Sequence, residues 1–472
     1  MGANAVTVTP AGASPRIIAD LVAGMEPPGT VRALNLPLAA ARRWSFCALL
    51  AAVALGAAAC GPSAQSDAPA PAQSPPDPAF REAWVQLTGR GAEMRAITAA
   101  ATCPTALIDG QAATWETRSA PSPDFPLTVC QALLPAGTKA AAVEGRALPL
   151  SKVRPQRILI FGDTGCRLKG ADVQACDNPA EWPFALVARL AAAHQPDLVI
   201  HVGDYYYRET PCPAGRQGCA ASPYGDNWWS WNADFFQPAA PLLAAAPWVM
   251  VRGNHEDCRR GGPIWFKVLD AGVTPLACPA VAAPYAVDIG GLALYVIDSA
   301  DAEDNSAPPQ KVAVMTAELD ALKTPLKTQP GWILTHRPIW GLATVASPIG
   351  TIEAPLDATE QAAVRGRDLS AVQMIVSGHI HHFASFDFGQ ARPAQLIAGT
   401  GGDVGDEGDS PKLRATAARI DGMSARAFTF NRYGFLILER SGEAWTGAFY
   451  DMSDHVIARC RLAGRSLACG PA

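Results

Sequence analysis

The chain has 472 residues, of which 49% are hydrophobic and 17% charged, with a formal net charge of −5 and an isoelectric point near 5.9. So much apolar sequence can bury a large core, which argues against an intrinsically disordered protein. The balance is acidic and no run of Lys or Arg stands out, so we expect no nucleic-acid-binding surface.

Residues 1–60 carry the features of an export signal. Arg42 and Arg43 precede an apolar run over residues 44–59 that ends in small residues, which is typical of a secretory signal and its cleavage site. Cys60 resembles the lipidated first residue of a bacterial lipoprotein, so we expect a periplasmic or cell-surface protein held to a membrane only by this anchor. The alternatives are an uncleaved membrane anchor, for which the run is short, and an ordinary cleavage in which Cys60 has no role.

Two further segments precede the main domain. Residues 61–79 are mostly Pro, Ala, Ser, Gln and Asp without a large apolar side chain, so we expect a disordered tether over residues 61–80. Residues 81–152 contain short strand-like pieces separated by Gly and Pro turns, which predicts a small β-rich N-terminal region. This region contains no recognisable catalytic constellation.

Ten cysteines remain after Cys47 and Cys60 are set aside, and they occur as neighbours along the chain. In an exported chain this spacing favours disulfides between neighbours. A structural zinc site is the alternative, but it needs close C-x-x-C pairs that this sequence lacks. The predicted pairs are Cys103–Cys130, Cys166–Cys176, Cys212–Cys219, Cys258–Cys278 and Cys460–Cys469.

Residues 153–462 read as one layered domain. Apolar runs at residues 158–161, 198–202 and 248–251 predict buried strands, and helical spacing at residues 181–193 and 233–245 predicts helices between them. Strands that alternate with helices indicate a largely parallel sheet covered by helices. The irregular insert at residues 211–231 is expected to form a wall of the active-site cleft.

A second strand and helix series follows. Residues 285–298 predict a hairpin around Gly290 and Gly291, a helix is expected at residues 312–322, and strands are expected at residues 332–335 and 372–376. The tail from residue 395 to 462 is rich in strands. Together the two series predict a four-layer αββα sandwich, in which two sheets pack face to face and helices cover both outer faces.

The predicted strands end in polar clusters, and ligands of layered α/β folds gather beyond strand ends. We therefore expect Asp163, Asp204, Tyr207, Asn254 and His255 to meet in space. Five of the eight histidines fall in such clusters. These oxygen and nitrogen donors suit divalent metals or Fe(III) better than a soft metal. The five histidines are His255, His336, His379, His381 and His382.

From Asp163 to His381 these residues form five spaced blocks that resemble the calcineurin-like metallophosphoesterase superfamily. Within it the chain looks most similar to the purple acid phosphatases. Gly165 stands where most relatives place a ligand histidine, and Tyr207 follows three residues after Asp204. The resemblance implies that one metal is held by Asp163, Asp204, Tyr207 and His381, and the other by Asp204, Asn254, His336 and His379.

The resemblance also implies the roles around the metals. Asp204 bridges the two ions, and His255 lies near the substrate as an acid or electrostatic group. Arg337 and His382 are candidate substrate contacts, although each reads equally well as a surface residue. The plant enzymes place another histidine just after the fourth block, where this chain has Pro338, Ile339 and Trp340 instead.

The implied cofactors are two metal ions, Fe(III) beside the Tyr207 phenolate and Zn(II), Fe(II) or Mn(II) at the other position. Two cations ~3.5–4 Å apart can bind phosphate oxygens and a hydroxide together. The implied activity is that of an acid-phosphatase-like phosphomonoesterase, which uses metal-bound hydroxide on a small phosphoester. Alternatives are a phosphodiesterase acting on nucleotides or headgroups, and an inactive lipoprotein binding module. No feature of the sequence indicates an oligomeric state.

Overall fold

A computed structural model describes residues 79–273, 277–347, 350–354, 356–405, 412 and 414–472. The expected export signal and all but the last two residues of the expected tether lie outside these ranges. Within them, no helix has both the length and the apolar composition that crossing a bilayer requires.

The described residues form twenty-seven strands, most of them short. In chain order they are β1 (Phe80–Thr88), β2 (Gly91–Thr98), β3 (Ala106–Ile108), β4 (Gln111–Ala112), β5 (Glu116–Ser119), β6 (Thr128–Leu133), β7 (Ala141–Val143), β8 (Arg146–Ala147), β9 (Arg157–Phe161), β10 (Leu168–Lys169), β11 (Asp172–Val173), β12 (Leu198–His201), β13 (Trp248–Met250), β14 (Tyr285–Asp288), β15 (Ala293–Val296), β16 (Gly331–Leu334), β17 (Ala343–Ser347), β18 (Gly350–Ala354), β19 (Val372–Ser377), β20 (Phe383–Asp387), β21 (Ala394–Ala398), β22 (Arg414–Ile420), β23 (Met423–Phe430), β24 (Gly434–Ser441), β25 (Ala444–Asp451), β26 (Val456–Ala463) and β27 (Ser466–Pro471).

Seven α-helices lie among these strands in the same ranges. They are α1 (Phe184–Ala193), α2 (Trp228–Trp231), α3 (Gln237–Leu243), α4 (Gly262–Val268), α5 (Pro309–Ala321), α6 (Lys323–Thr328) and α7 (Ala358–Val364). A π-helical turn at Asn232–Phe236 joins α2 to α3, and a 3-10 turn covers Asn254–Glu256.

Two sheets dominate the described structure. The large sheet has the order β27-β26-β25-β24-β9-β12-β13-β1-β2-β6-β5, and the second sheet has the order β14-β15-β16-β19-β21-β20-β23-β22. At the centre of the large sheet, β9, β12 and β13 are parallel. In the second sheet, β15, β16, β19 and β21 are parallel. The carboxyl ends of these parallel strands carry the predicted polar clusters.

The apolar side chains separate into layers that confirm the predicted αββα sandwich. One core lies between the sheets and joins residues such as Ile160 and Val249 to Trp332 and Met374. A second core packs the outer face of the large sheet against helices that include α1 and α3. A third packs the second sheet against α5 and α7. Because each sheet is covered on both faces, its central strands are apolar throughout rather than alternating.

Two predicted helices differ from the structure because of proline. The helix expected at residues 181–193 begins at Phe184, since Pro183 disfavours helical geometry at the residue before it. The helix expected at residues 233–245 is divided into the π-helical turn and α3, which contains Pro238 and Pro241. A proline lacks the N–H that an uninterrupted helix needs. The predicted hairpin forms as expected, with Gly290 and Gly291 at φ of 77° and 86° between β14 and β15.

Residues 80–133 extend the large sheet. Strand β1 pairs in parallel with β13, and β2, β6 and β5 continue beyond it, while β3, β4, β7 and β8 form a small sheet of their own. Two buried arginines strengthen the junction, because Arg95 donates to the carbonyls of Val268 and Asp270, and Arg118 donates to that of Phe266. The N-terminal strands therefore share a sheet with the strands that end at the predicted site.

All five predicted disulfides are present, with Cα–Cα distances between 4.1 and 5.9 Å. This number of disulfides is typical of exported or extracellular proteins. Cys166–Cys176 and Cys212–Cys219 lie in one small apolar cluster with Leu168. They close the segments that follow Asp163 and Tyr207 in the chain.

Candidate metal centre

The predicted residues meet where the carboxyl ends of the two sheets face each other. Asp163 and Asp204 follow β9 and β12 of the large sheet, and both have a φ of 58°. His379 follows β19 of the second sheet and has a φ of 69°. Non-glycine residues rarely adopt this left-handed conformation, and where they do it often marks a functional site.

The Tyr207 hydroxyl lies among three acceptors. Its oxygen is 2.7 Å from Asp204 Oδ2, 3.3 Å from Asp163 Oδ1 and 2.9 Å from His381 Nε2. Burial and the nearby carboxylates raise the pKa of Tyr207 well above its usual value of 10, against the charge of Arg167. The protein alone therefore keeps the phenol protonated, and a cation is needed to make it a phenolate.

The second group of donors surrounds His336. Its Nε2 atom lies 2.9 Å from Asn254 Oδ1 and 3.1 Å from Asp204 Oδ2, and its Nδ1 atom lies 2.8 Å from the Val202 carbonyl. Although burial lowers the pKa of His336, the charge of Asp204 raises it to about 9. Without a metal, a proton on Nε2 balances that carboxylate.

The donor atoms form two sets that suit two cations. One atom each from Asp204, His336 and His379 lies within 4.8 Å of the others, and the same is true of Asp163, Asp204 and His381. Because the Val202 carbonyl accepts the hydrogen on Nδ1 of His336, loss of the proton on Nε2 leaves a lone pair that faces the Asn254 amide oxygen. Acceptors that face one another need a positive charge between them. The residues present therefore fit two metal ions that share Asp204.

Gly165 makes room for Tyr207. A Cβ atom at position 165 would lie 2.8 Å from both the Tyr207 Cδ2 atom and its backbone nitrogen. Real Cβ atoms essentially never lie this close to other heavy atoms, so a side chain here would displace the tyrosine. The sequence combines glycine at position 165 with a tyrosine three residues after Asp204. The structure explains this combination, because the tyrosine occupies the space that a side chain at position 165 would need.

Buried carboxylates hold the backbone of the large-sheet donors. Glu256 accepts the backbone N–H groups of Gly253, Asp204, Tyr205 and Tyr206 at 2.9 to 3.1 Å. Burial and the charge of Asp204 raise the pKa of Glu256 to about 8. These four bonds determine how the Asp204 turn meets the Asn254 turn.

Asp234 supports the neighbouring turns in the same way. It accepts the N–H groups of Tyr207 at 2.9 Å and of Cys166 at 3.1 Å, and it pairs with Arg208. All of its partners lie beside the predicted ligands. Asp234 comes from the π-helical turn, so that irregular segment contributes directly to the site.

The two histidines that follow β19 each have one ring nitrogen beside a charged pair. Nε2 of His379 lies 3.0 Å from Asp304 Oδ1 and 2.8 Å from Arg337 Nη1, and Asp304 pairs with Arg337. Nδ1 of His381 lies 2.9 Å from the Val404 carbonyl, with Asp403 and Arg167 close by.

His255 lies against the ring of Tyr207, with the ring centres 3.9 Å apart. Its Nδ1 atom is 2.6 Å from Glu209 Oε1, close enough for an ion pair but not aligned as a hydrogen bond. Burial lowers the pKa of His255, while Asp204 and Glu209 act in the opposite direction. His255 also donates its backbone N–H to Asp204 at 2.9 Å.

The structure brings the seven candidate ligands and His255 together, and both candidate substrate contacts are buried. Arg337 reaches the site through His379 and Asp304. His382 is only 3% exposed, which gives it little surface for a substrate. His201 lies in β12, and its ring stacks on that of Tyr205 with the ring centres 3.9 Å apart.

Sequence reasoning missed the residues that support the ligands. These residues are Arg167, Glu209, Asp234, Glu256, Asp304 and Asp403. Glu209 and Glu256 follow Tyr207 and His255 by two residues and one residue, so their place in the clusters was a usable signal. Asp234, Asp304 and Asp403 lie in irregular segments, where spacing says little about contact.

Comparison with known proteins agrees with this geometry. Residues 156–383 match the family described as calcineurin-like phosphoesterase, and this range holds the seven candidate ligands. The chain carries a calcineurin-like phosphoesterase domain. No curated protein matches the chain significantly.

Several solved structures are similar to the chain that contains this calcineurin-like domain. A structure described as PhoD has 10% identity and a TM-score of 0.50, covering 83% of this chain and 91% of that one. A purple acid phosphatase from yellow lupin seeds has 14% identity and a TM-score of 0.47, covering 83% and 74%. The protein GAP50 of Plasmodium has 14% identity and a TM-score of 0.41, covering 66% and 90%. At these identities the first likeness shows a common fold and nothing more.

Proposed function

We propose that the protein is an exported phosphomonoesterase that depends on two metal ions. The observation that carries this proposal is the pair of donor sets that share Asp204, at the facing ends of two sheets in a calcineurin-like phosphoesterase domain. One metal is assigned to Asp163, Asp204, Tyr207 and His381. The other is assigned to Asp204, Asn254, His336 and His379.

The assignment of metals follows from the donor atoms. Tyr207 supplies a phenolate oxygen, which favours Fe(III), whereas the His336 side offers an amide oxygen and imidazoles that suit Zn(II), Fe(II) or Mn(II). Two such ions stabilise charge on the phosphate oxygens and make hydroxide available at ordinary pH. The likeness to purple acid phosphatases rests on Gly165 and Tyr207, which are sterically linked in this chain.

His255 is the proposed proton donor to the leaving oxygen. Its Nδ1 atom faces the Glu209 carboxylate, which stabilises a positive charge on the ring and leaves Nε2 for the substrate. Arg260 lies 3.4 Å from the same carboxylate and keeps it ionised. Glu209 therefore orients the ring and sets its charge, while His255 handles the proton.

The test is hydrolysis of p-nitrophenyl phosphate and bis(p-nitrophenyl) phosphate by purified protein loaded with Fe and Zn. We expect faster turnover of the monoester and loss of both activities in Asp204→Asn. Asp288→Asn, which changes an exposed carboxylate in β14, is the matched control and should behave as wild type. Faster turnover of the diester would make the protein a phosphodiesterase. Absence of turnover with both metals bound would favour an inactive binding module.

The proposed location is the surface or periplasm of a bacterium, with Cys60 as a lipid anchor. The five disulfides support an oxidising compartment, and the sequence around Cys60 supports lipidation. Radiolabelled palmitate should be incorporated into the wild type and not into Cys60→Ala. Equal labelling of both would remove the anchor from the proposal and leave export unchanged.

A further inference from the structure

The two histidines that follow β19, His379 and His381, each face a carboxylate–arginine pair through one ring nitrogen. For His379 the pair is Asp304 and Arg337, and for His381 it is Asp403 and Arg167. We propose that Asp304 and Asp403 are positioning residues, each of which controls occupancy of one metal. This inference rests on the proposed function.

Asp304 determines which nitrogen of the His379 ring carries the hydrogen. Asp304 is an acceptor 3.0 Å from Nε2, and Arg337 is a donor 2.8 Å from the same atom. When Nε2 donates to Asp304, the lone pair is on Nδ1, where it can bind a metal. When Nε2 accepts from Arg337, Nδ1 carries the hydrogen and cannot bind one. Asp304 therefore selects the tautomer that binds a metal.

The positive charge of Arg337 holds Asp304 beside His379. The Asp304 Oδ1 atom lies 3.0 Å from His379 Nε2 and is paired with the Arg337 guanidinium, so a cation and the imidazole ring both face the same carboxylate oxygen. Arg337 has only 10% of its side chain exposed and is paired with Asp304. The arginine thus holds the carboxylate against His379 and does not need to contact the substrate.

Asp403 acts in two ways, through hydrogen bonds of its own loop and through its negative charge. Its backbone N–H donates to the Asp163 carbonyl at 2.9 Å, and its Oδ1 atom accepts the Val404 N–H at 2.8 Å. This places the Val404 carbonyl 2.9 Å from Nδ1 of His381. The hydrogen of His381 is therefore on Nδ1, and the Nε2 lone pair faces Tyr207 and Asp163.

Arg167 links this second pair to Tyr207. Its guanidinium is bound by Asp403 and lies 5.1 Å from the centre of the Tyr207 ring. A cation at this position stabilises negative charge on the phenol oxygen. Asp403 holds the cation there, so the pair acts on Tyr207 and His381, two of the three donors that are assigned to the Tyr207 metal alone.

The arrangement separates the two metals experimentally. In Asp304→Asn we expect the metal of the His336 set to bind 10–100-fold more weakly, the usual effect of losing a carboxylate behind a ligand histidine. A Tyr207 phenolate bound to Fe(III) would give a visible charge-transfer band, and this band should be kept. In Asp403→Asn we expect the band to shift or disappear, while the other metal is retained.

Metal content per chain by mass spectrometry and the visible spectrum are the measurements. Asp301→Asn is the matched control for Asp304, because Asp301 lies in the same loop and pairs with Lys311. Asp172→Asn is the matched control for Asp403, because Asp172 pairs with the same Arg167 but has 61% of its side chain exposed. Both controls should keep two metals and the band.

We expect each variant to weaken a different metal site. A merely structural role would not produce this difference. Equal loss of both metals in both variants, together with a lower unfolding temperature, would overturn the inference. Wild-type affinity for both metals in both variants would also overturn it, and would leave the proposed function intact. A wild-type protein that holds no pair of metals would remove the proposed function and this inference together.

Discussion

The two sheets contribute unlike halves to one site. The large sheet supplies the oxygen half, which consists of Asp163, Asp204, Tyr207 and Asn254, and the second sheet supplies the imidazole half, which consists of His336, His379 and His381. Buried carboxylates hold the oxygen half through backbone N–H groups. Backbone carbonyls and side-chain ion pairs hold the imidazole half.

The two kinds of support have different effects on the protein. Backbone hydrogen bonds determine the path of the chain. The residues that support the oxygen half therefore also stabilise the fold. Side-chain pairs such as Asp304 and Arg337 set the tautomer and charge of a ring whose position the sheet already determines. Changes behind the oxygen half should therefore affect stability, and changes behind the imidazole half should affect metal binding.

The largest expected effect is on stability, in Glu256→Ala. The change leaves four buried N–H groups without an acceptor. Each such group costs about 1–3 kcal/mol, so we expect the free energy of unfolding to fall by at least ~4 kcal/mol or folding to fail. Urea denaturation of metal-free protein is the measurement.

Glu318→Ala is the matched control for this prediction. Glu318 is also a buried carboxyl, but it accepts only one backbone N–H, that of Asp298 at 2.7 Å. We expect a loss of only about 1–3 kcal/mol, as for one unpaired donor. Equal losses in the two variants would mean that the lost side-chain volume, and not the lost backbone hydrogen bonds, determines the change in stability. The contrast between the two halves of the site would then not hold.

His255→Ala should keep both metals and lose about 10²–10⁴-fold in turnover, the usual scale for a positioned acid or base. The exposed His455 gives a control, because His455→Ala leaves the site untouched. Turnover and metal content are measured on the same samples. If metals are lost with activity, His255 belongs to the support of the oxygen half instead.

Tyr207→Phe tests the oxygen half itself. A phenolate on Fe(III) absorbs visible light, so the wild type should be coloured, and the variant should lose the colour and its preference for Fe(III). Tyr206→Phe is the control, because the Tyr206 hydroxyl donates to the Arg208 carbonyl at 2.7 Å and does not reach the donors. A colourless, fully active wild type with only Zn(II) or Mn(II) would contradict the Fe(III) assignment.

A pH dependence of stability is expected at Glu318. Burial, and then the charge of Asp298, raise the pKa of Glu318 to about 9 in the folded chain. Since this lies above the unfolded value, the neutral form favours folding. Its contribution is complete below about pH 4.5 and is lost as the pH rises through about 9.

Glu318→Gln, which cannot ionise, isolates this effect. It should lie within about 1 kcal/mol of the wild type at pH 5, where both side chains are neutral. At pH 9 it should be the more stable protein. Denaturant midpoints across this range give the comparison, and parallel curves for the two proteins would exclude a buried ionisation at this position.

The sequence was sufficient for the strands, the layers and the ligand clusters, because these follow from runs of adjacent residues. The apolar run of β9 ends at Gly162 and Asp163, and that of β19 ends at Gly378 and His379, so strand and ligand are read together. The disulfides were predictable for the same reason, since each joins neighbours in the chain.

The support of the site was not predictable because it is non-local. Asp403 meets Arg167 across 236 residues, and Asp304 meets His379 across 75. The sequence predicted a small β-rich N-terminal region, but it did not predict that β1 pairs with β13 of the large sheet. Hydrophobic patterns predict that such strands exist but do not predict which edge they join.

The shared metal site also affects the stability of the folded chain. Its donors come from two sheets, and Asp204 and His379 are separated by 175 positions along the chain. A cation bound between them acts as a crosslink that only the completed sandwich can accept. Free metal at 100 times its dissociation constant would add about 2.7 kcal/mol to stability by mass action. A chelator should therefore lower the unfolding temperature of the whole sandwich, and metal supply outside the cell would determine how long the folded protein lasts.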